Sequence, residues 1–169
     1  MLRKIDLKSI HDNPFSLIGD QWALVSAGDR EHYNTMTASW AGLGVLWNKP
    51  VATIYVRPQR YTYQFVEKSG YFTLTFFAPG EQREALALCG SKSGRDLDKF
   101  AAAGLTPAFA DCGAPYAAEG ELVLVCRKLY AQDLEADRFL DSALIDKNYP
   151  NRDFHRMYVG EIIEAYRRG

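Results

Sequence analysis

The sequence predicts a mainly β (α+β) fold, an antiparallel barrel with short helices at its periphery. Six segments have the pattern of strands and four have the pattern of helices, and the two kinds do not alternate regularly along the chain. No Gly-x-Gly-x-x-Gly motif follows a predicted strand, so a Rossmann fold is not supported. The aromatic content is 13%, with ten Tyr and nine Phe, and aromatic side chains favour strands.

Length and composition restrict the class of protein. A chain of 169 residues, 47% of them hydrophobic and 24% charged, predicts one globular domain over residues 1–169. The net charge of −1 lacks the basic character of a nucleic-acid-binding protein. Three Cys without a Cys-x-x-Cys spacing and three scattered His predict reduced thiols and no metal site. Because no signal peptide or membrane-spanning segment is evident, we expect a cytoplasmic protein without membrane contact.

The predicted strands rest on periodicity and on runs of apolar residues. Asn34–Trp40 alternates, with hydroxyl side chains on one face and Met36, Ala38 and Trp40 on the other. Gly160, in the last segment, predicts a bulge or a close approach of backbone. In chain order the predicted strands are Gln21–Gly28, Asn34–Trp40, Val51–Arg57, Tyr71–Phe77, Glu121–Tyr130 and His155–Tyr166.

Helix signals lie between these strands. Gly70 and Gly104 each follow a run of helix-forming residues and predict a helix end. Asp96 is the predicted N-cap of the third helix, which places Phe100 on an apolar face. The predicted helices are Arg60–Gly70, Pro79–Gly90, Arg95–Gly104 and Asp137–Lys147.

The segment "CGSKSGRDLDKF", Cys89–Phe100, is a candidate anion site. It joins two predicted helices through a loop of Ser, Gly and basic residues, and the second helix begins near Asp96. A helix N-terminus offers unpaired N–H groups, and Ser91, Ser93 and Lys99 add further donors, so the segment suits a phosphate. The alternative interpretation is an ordinary polar loop between two helices.

Three other features are weaker on their own. Arg57, Arg60 and Thr62 lie at a strand end and the following helix start, which suits an anion; the alternative is solvated arginines. The alternating strand ending at Trp40 offers hydroxyl groups and a ring for stacking, or simply one face turned to water. His155, near Asp153, is either a proton donor or substrate contact, or a histidine without a role. Cys89 belongs to the candidate anion segment: it precedes Gly90 at a helix end and is interpreted as a small residue that lines that loop.

Taken in order, these segments resemble the flavin reductase-like, FMN-binding split-barrel family, which includes flavoredoxin. The resemblance runs from about Gln21 to Tyr166 and is carried by "NTMTASW", "WNKPVATIYVRPQRYTYQFVEKSGYFTLTFF", "CGSKSGRDLDKF" and "HRMYVGEI". It implies an antiparallel split β-barrel of Greek-key type. It also implies a homodimer that binds flavin near the subunit interface.

The resemblance further implies roles for particular residues. The strand matching "NTMTASW" would border the isoalloxazine ring and ribityl chain, the arginine segment would lie near the ribityl phosphate, and the Ser/Lys loop would approach FMN. His155 would be a candidate contact for nicotinamide, although "DF" precedes it where relatives often have Gly-Asp. The implied FMN contacts are Thr37, Ala38, Ser39, Trp40, Arg57, Arg60, Thr62, Cys89, Ser91, Ser93 and Lys99.

The function implied by the resemblance is an FMN-binding oxidoreductase that uses NADH or NADPH to reduce flavin. Bound flavin carries the redox chemistry, so no side chain need act as an acid or base. One alternative is a non-enzymatic FMN protein that exchanges electrons with a protein partner, such as another redox protein or a monooxygenase. The other is a split-barrel module that binds a different ligand, such as haem.

Overall fold

The computed structural model describes residues 1–169, and its main feature is an eight-stranded antiparallel sheet. The strands are β1 (Leu2–Ile5), β2 (Ala23–Gly28), β3 (Tyr33–Ala38), β4 (Ala41–Leu46), β5 (Lys49–Val56), β6 (Tyr71–Phe76), β7 (Pro107–Phe109), β8 (Pro115–Ala117), β9 (Leu122–Asp133) and β10 (Arg156–Arg168). The sheet order is β3-β2-β6-β9-β10-β5-β4, β1 also pairs with β10, and β7 and β8 form a separate hairpin.

The helices are short and connect the strands. They are α1 (Pro14–Ser16), α2 (Tyr61–Lys68), α3 (Arg83–Ser91), α4 (Lys99–Ala102) and α5 (Ala143–Asn148). Short 3₁₀ turns occur at Leu7–Ser9 and Ala136–Arg138, and a π turn at Leu17–Gln21 continues α1. The predicted fold class, mainly antiparallel β with short peripheral helices, is confirmed. Not one of these helices has the length and apolar character needed to cross a membrane.

All six predicted strands are present, as β2, β3, β5, β6, β9 and β10, whereas the other four, β1, β4, β7 and β8, were not predicted. β4 and β5 form a hairpin whose turn residues, Trp47 and Asn48, have φ of 53° and 57°. Two consecutive residues with positive φ match the twist of a two-residue hairpin, and such turns favour Asn-Gly or Asp-Gly sequences. A Trp in this conformation gives no turn signal, and the glycines at 42 and 44 weaken the apolar pattern of the strand.

Strand β10 lies between β9 and β5 and fixes the register of both. The pairing with β9 shifts between Val159 and Gly160, which is the irregularity expected there. Gly160 is also a point of close approach, because a Cβ at this position would lie 2.6 Å from the ring of Phe72 and 2.9 Å from the Cβ of Cys126. Both features predicted for Gly160, a bulge and a close approach of the backbone, are therefore confirmed.

Three of the predicted helices differ from the structure. Helix α3 begins at Arg83 and not at Pro79, because Gly80 (φ 85°) and Gln82 (φ 54°) form a turn before it. The N-cap of α4 is Asp98, so the assignment of Asp96 was wrong. Because α4 begins directly after Asp98, Phe100 lies in the core formed by α3, α4 and the sheet. The segment predicted as one helix over residues 137–147 is divided into a 3₁₀ turn and α5.

Candidate functional site

A cavity of about 270 Å³ lies where the ends of β3, β5 and β10 meet the last turn of α3. This volume is near the lower end for small-molecule sites, roughly 300 Å³. Val56 pairs with Arg156, so the next residues outward, Arg57 and His155, lie side by side at the cavity. The cavity is lined by Met36, Thr37, Ala38, Ser39, Trp40, Tyr55, Arg57, Arg60, Gly90 and His155.

Strand β3 and helix α3 form one wall of this cavity. The Thr37 hydroxyl donates a hydrogen bond to the Leu86 carbonyl oxygen at 2.6 Å. A Cβ at Gly90 would lie 3.4 Å from the Cβ of Thr37, so the last turn of α3 packs closely against the strand. Small residues at this wall leave room for a flat group, while Trp40, 47% exposed, provides a ring at the opening.

Two cations meet at the C-terminal end of α3. Arg60 donates to the carbonyl oxygens of Gly90 at 2.8 Å and Cys89 at 3.4 Å, and the Lys99 ammonium donates to the same Cys89 oxygen at 2.8 Å. Lys99 is only 4% exposed. Its burial, together with the charge of Arg60, lowers the pKa of its ammonium to about 8. The arrangement concentrates positive charge at this end of the cavity.

Helix α2 begins beside the cavity, and no side chain caps the N–H groups of its first turn. Its N-cap residue, Arg60, provides no side-chain acceptor for the first N–H groups of the helix. At α4, by contrast, the Asp98 carboxylate accepts from the N–H groups of Phe100 and Ala101. The first N–H groups of this helix are therefore already bound by a carboxylate, and the anion site predicted for the Cys89–Phe100 segment stays a prediction that would depend on Ser91, Ser93 and Lys99. The positive helix end beside the cavity belongs to α2.

Arg57 joins the end of β5 to the segment that precedes β10. Its guanidinium donates to the Asp153 carboxylate at 2.6 Å and to the Asn148 carbonyl oxygen at 2.8 Å. It also lies 4.9 Å from the centre of the Tyr149 ring. A hydrogen bond from Gln59, and secondarily one from Arg57, lowers the pKa of the Asp153 carboxyl. Arg57 thus lines the cavity with its terminal nitrogens already bound to protein acceptors.

His155 is a buried, uncharged residue of the cavity wall. Its Nδ1 lies 2.8 Å from the Tyr149 hydroxyl oxygen, and its ring centre lies 5.2 Å from that of Trp40. Burial is the main reason that the pKa of His155 falls to about 4; the charge of Arg57 lowers it further, and Asp153 opposes the shift. No protein group bonds to Nε2. At neutral pH the cavity therefore contains a neutral imidazole with one nitrogen available.

The other predicted contacts lie around the cavity and not on its surface. Thr62 is buried and accepts a hydrogen bond from the Asn34 amide at 3.0 Å. The Cys89 thiol is buried, which raises its pKa. Ser91 is exposed and donates to the Ala87 carbonyl oxygen, and the Ser93 hydroxyl accepts from a backbone N–H. Their roles toward flavin stay predictions.

Four residues at or beside the cavity were missed by the sequence-based prediction. Tyr55 precedes Arg57 by two positions on the same strand, so its place on the cavity face follows from the period of two. Met36 lies in the predicted strand, and Gly90 lies beside Cys89. Tyr149 had no sequence signal, because its contact with His155 depends on the path of the chain between β9 and β10.

The depressed pKa of His155 predicts a loss of stability in acid. Between pH 6.5 and about 4 the unfolded chain binds a proton at this residue and the folded chain does not, so the free energy of unfolding falls as the pH is lowered. The contribution from pH 7 to pH 4.5 is about 2 kcal/mol. Urea denaturation of the wild type and of His155→Gln across this range measures it.

The variant should lose less stability than the wild type over this interval. His11→Gln, which removes an exposed histidine, is the control and should behave like the wild type. Parallel curves for the wild type and His155→Gln would contradict the assignment of a buried neutral imidazole.

Comparison with known proteins identifies relatives of this architecture. The model of the flavin reductase like domain matches residues 15–169, which is most of the chain. No curated protein sequence matches the chain.

Several solved structures are similar over most of their length. A flavoredoxin from Methanosarcina acetivorans has 25% sequence identity and a TM-score of 0.67, over 88% of this chain and 68% of that protein. An FMN-binding domain of a flavin reductases-like enzyme from Shewanella baltica OS155 has 20% identity and a TM-score of 0.70, over 99% and 77%. The NADH:FAD oxidoreductase SgcE6 of Streptomyces globisporus C-1027, solved with NAD and FAD fragments, has 19% identity and a TM-score of 0.66, over 88% and 74%.

These likenesses confirm the split-barrel fold. The family model also covers every segment on which the resemblance was based. The chain belongs to the flavin reductase-like family.

Proposed function

We propose that the protein is an FMN-binding oxidoreductase, one flavin reductase-like domain over its whole length, that uses NADH or NADPH to reduce flavin. The observation that carries this proposal is the chemistry of the cavity. One end has small residues of β3 with Trp40 and His155, and the other has Arg60 beside the uncapped start of α2. A flat, largely apolar ring joined to an anionic tail matches this division.

The residues present fit FMN at both ends. Thr37, Ala38 and Ser39 would hold the ring mainly through backbone groups, since the small side chains let it approach, and Trp40 would border the ring. At the other end Arg60 would bind the phosphate with the first N–H groups of α2, because both are donors and both carry positive potential.

The remaining predicted contacts have supporting parts in this proposal. Lys99, bound to the Cys89 carbonyl oxygen, would add positive potential at the phosphate end. Ser91 and Ser93, at the end of α3 and in the loop after it, would donate hydroxyl hydrogen bonds to FMN. Thr62 would fix the backbone around the phosphate end, where it is bound to Asn34. Arg57 would hold the chain beside His155, because its guanidinium is bound to Asp153 and Asn148.

When bound, FMN would accept a hydride from the nicotinamide and pass electrons onward. The protein would bind and orient both molecules and exclude water from the ring. His155, whose Nε2 has no protein partner, would contact the nicotinamide at the open side of the cavity. The similarity to a protein whose structure contains NAD and FAD fragments supports this reductant.

A second function is favoured by the similarity to flavoredoxin, the structure with 25% identity. In that case the protein would hold FMN permanently and exchange electrons with a protein partner, such as another redox protein or a monooxygenase. Trp40 at the cavity opening would then face that partner.

The proposed assembly is a homodimer. The tip of the β4–β5 hairpin exposes apolar side chains, among them Val45 (77% exposed) and Trp47 (55% exposed), and the Trp47 ring packs on Tyr130. An exposed group of this kind is typical of a protein interface. The patch continues β4, an edge strand of the sheet that begins beside Trp40, so the strand edge and the hairpin tip together offer a surface for a partner subunit.

The test is an anaerobic titration of the purified protein with FMN and then with NADH or NADPH. We expect a flavin spectrum on binding and loss of the flavin absorbance on addition of one nucleotide. Continued turnover with added free flavin would support the reductase, and a single turnover that needs a protein acceptor would support the electron-transfer protein. A colourless protein that binds no FMN, or one that binds haem instead, would contradict the proposal.

A further inference from the structure

We propose that Tyr149 is a positioning residue that holds His155 in the tautomer protonated at Nε2. The cavity then receives an uncharged N–H donor, suited to a carbonyl-type acceptor such as the carboxamide oxygen of a nicotinamide. The identity of that acceptor rests on the proposed function, whereas the tautomer rests on the geometry of the protein alone.

The hydrogen bond between Tyr149 and His155 leaves one sensible assignment of its proton. Both residues are buried, at 5% and 8% exposure, and the hydroxyl oxygen lies 2.8 Å from Nδ1. The hydroxyl has no other protein partner. If Nδ1–H donated to the oxygen, the hydroxyl hydrogen would be a buried donor without an acceptor. If the hydroxyl donates, only an acceptor lone pair is unused, which costs less.

Burial is the main reason that both groups stay uncharged, as the hydrogen bond requires. Burial raises the pKa of Tyr149, so it remains a phenol and keeps a hydrogen to donate. Arg57 lies over the Tyr149 ring and opposes a positive charge on His155, while Asp153 partly offsets Arg57. His155 is therefore neutral and offers its Nδ1 lone pair as the acceptor.

The phenol is also held in place by packing. Its ring centre lies 4.8 Å from that of Phe154 and 5.9 Å from that of Phe139, with the Arg57 guanidinium on its face. The Asn148 carbonyl next to it in sequence accepts from the same guanidinium. Because the hydroxyl cannot move away from Nδ1 without disturbing these contacts, it fixes the orientation of the imidazole as well as its tautomer.

The remaining nitrogen is the one that reaches a ligand. Nε2 has no protein partner, and His155 lines the cavity beside Trp40. A neutral N–H donor binds and orients a carbonyl oxygen without attracting the phosphates of the same nucleotide. This separates ring recognition from the basic end of the cavity, where Arg60 lies.

The first experiment is ¹⁵N NMR of the histidine side chains in the purified protein without nucleotide, at neutral pH. His155→Gln identifies the His155 signals. We expect a protonated Nε2 and an unprotonated, hydrogen-bonded Nδ1. In Tyr149→Phe the Nδ1 signal should move toward that of a nitrogen without a donor. Tyr71→Phe, which deletes a hydroxyl outside the site, should leave both signals unchanged. Protonation at Nδ1 in the wild type would overturn the proposal.

The second experiment is steady-state kinetics of the FMN-loaded protein. Loss of one positioning hydrogen bond should raise the KM for the reduced nucleotide about 2- to 10-fold in Tyr149→Phe, with FMN affinity unchanged. An unchanged KM, or an equal loss of FMN affinity, would overturn the positioning role. A protein with the expected tautomer that oxidises neither nucleotide would contradict the proposed function and still support the tautomer assignment.

Discussion

Replacing Arg60 by alanine is expected to weaken FMN binding about 10- to 100-fold. Arg60 is the one cation of the cavity lining whose guanidinium is bound to the end of α3, and the same residue is the N-cap of α2. A hydrogen bond to a charged group contributes about 1.5–3 kcal/mol, which corresponds to this range of affinity. Fluorescence quenching of FMN on titration with protein measures the dissociation constant, and circular dichroism checks that the variant folds.

Two further variants separate charge from geometry at this position. Arg60→Lys keeps the charge but loses the planar fork, so it should recover only part of the affinity. Arg138→Ala removes an exposed arginine that pairs with Glu135 and should bind FMN like the wild type. An Arg60→Ala protein that binds FMN as tightly as the wild type would contradict the proposed phosphate end of the cavity.

Replacing Gly160 by valine is expected to cost about 3 kcal/mol or more of the free energy of unfolding. A Cβ there would meet the Phe72 ring at 2.6 Å and the Cys126 Cβ at 2.9 Å, and both neighbours are fully buried in the central sheet. Overpacking of a core typically costs 1–3 kcal/mol, and a β-branched side chain adds two methyl groups beyond that first contact. Urea denaturation of wild type and variant gives the difference.

Gly44 provides the matched control, because it is also a strand glycine but a Cβ there meets nothing within 4 Å. Gly44→Val should change the free energy of unfolding by less than about 0.5 kcal/mol. Equal losses in the two variants would indicate that removing a strand glycine has a general effect and that the contact with Phe72 is not the cause.

The sequence predicted the strands that alternate or are continuously apolar, since burial of one or both faces of a sheet leaves that pattern in the chain. It did not predict β4, where glycines dilute the pattern and the turn at Trp47 and Asn48 uses residues atypical of such turns. It also named Asp96 as a cap in place of Asp98. Both residues suit an N-cap, and the choice is decided by the burial of Phe100, which is a tertiary effect.

The site was predictable in outline only. Thr37, Arg60 and His155, which are far apart in sequence, do line one cavity. Thr62 and Cys89 are buried beside it. Their exact places could not be predicted, because the period of a helix or strand indicates which face is apolar and not which neighbour that face contacts. The pairing of Tyr149 with His155 joins two residues of an irregular segment, and no local pattern encodes it.

The register of β5 and β10 has a consequence for the motions of the site. Val56 and Arg156 form the last pair of the ladder between β5 and β10, which are both interior strands of the sheet, so the ring end of the cavity is bounded by hydrogen-bonded strand backbone. The segment after α3 has no strand partner: the Arg95 N–H is bound locally to Ser93, and the Arg95 side chain donates a longer-range bond to the Gln59 carbonyl oxygen. We therefore expect fast amide hydrogen exchange at one end of the cavity and slow exchange at the other. A bound ligand would therefore meet a compliant wall at the phosphate end, while the ring end keeps its shape.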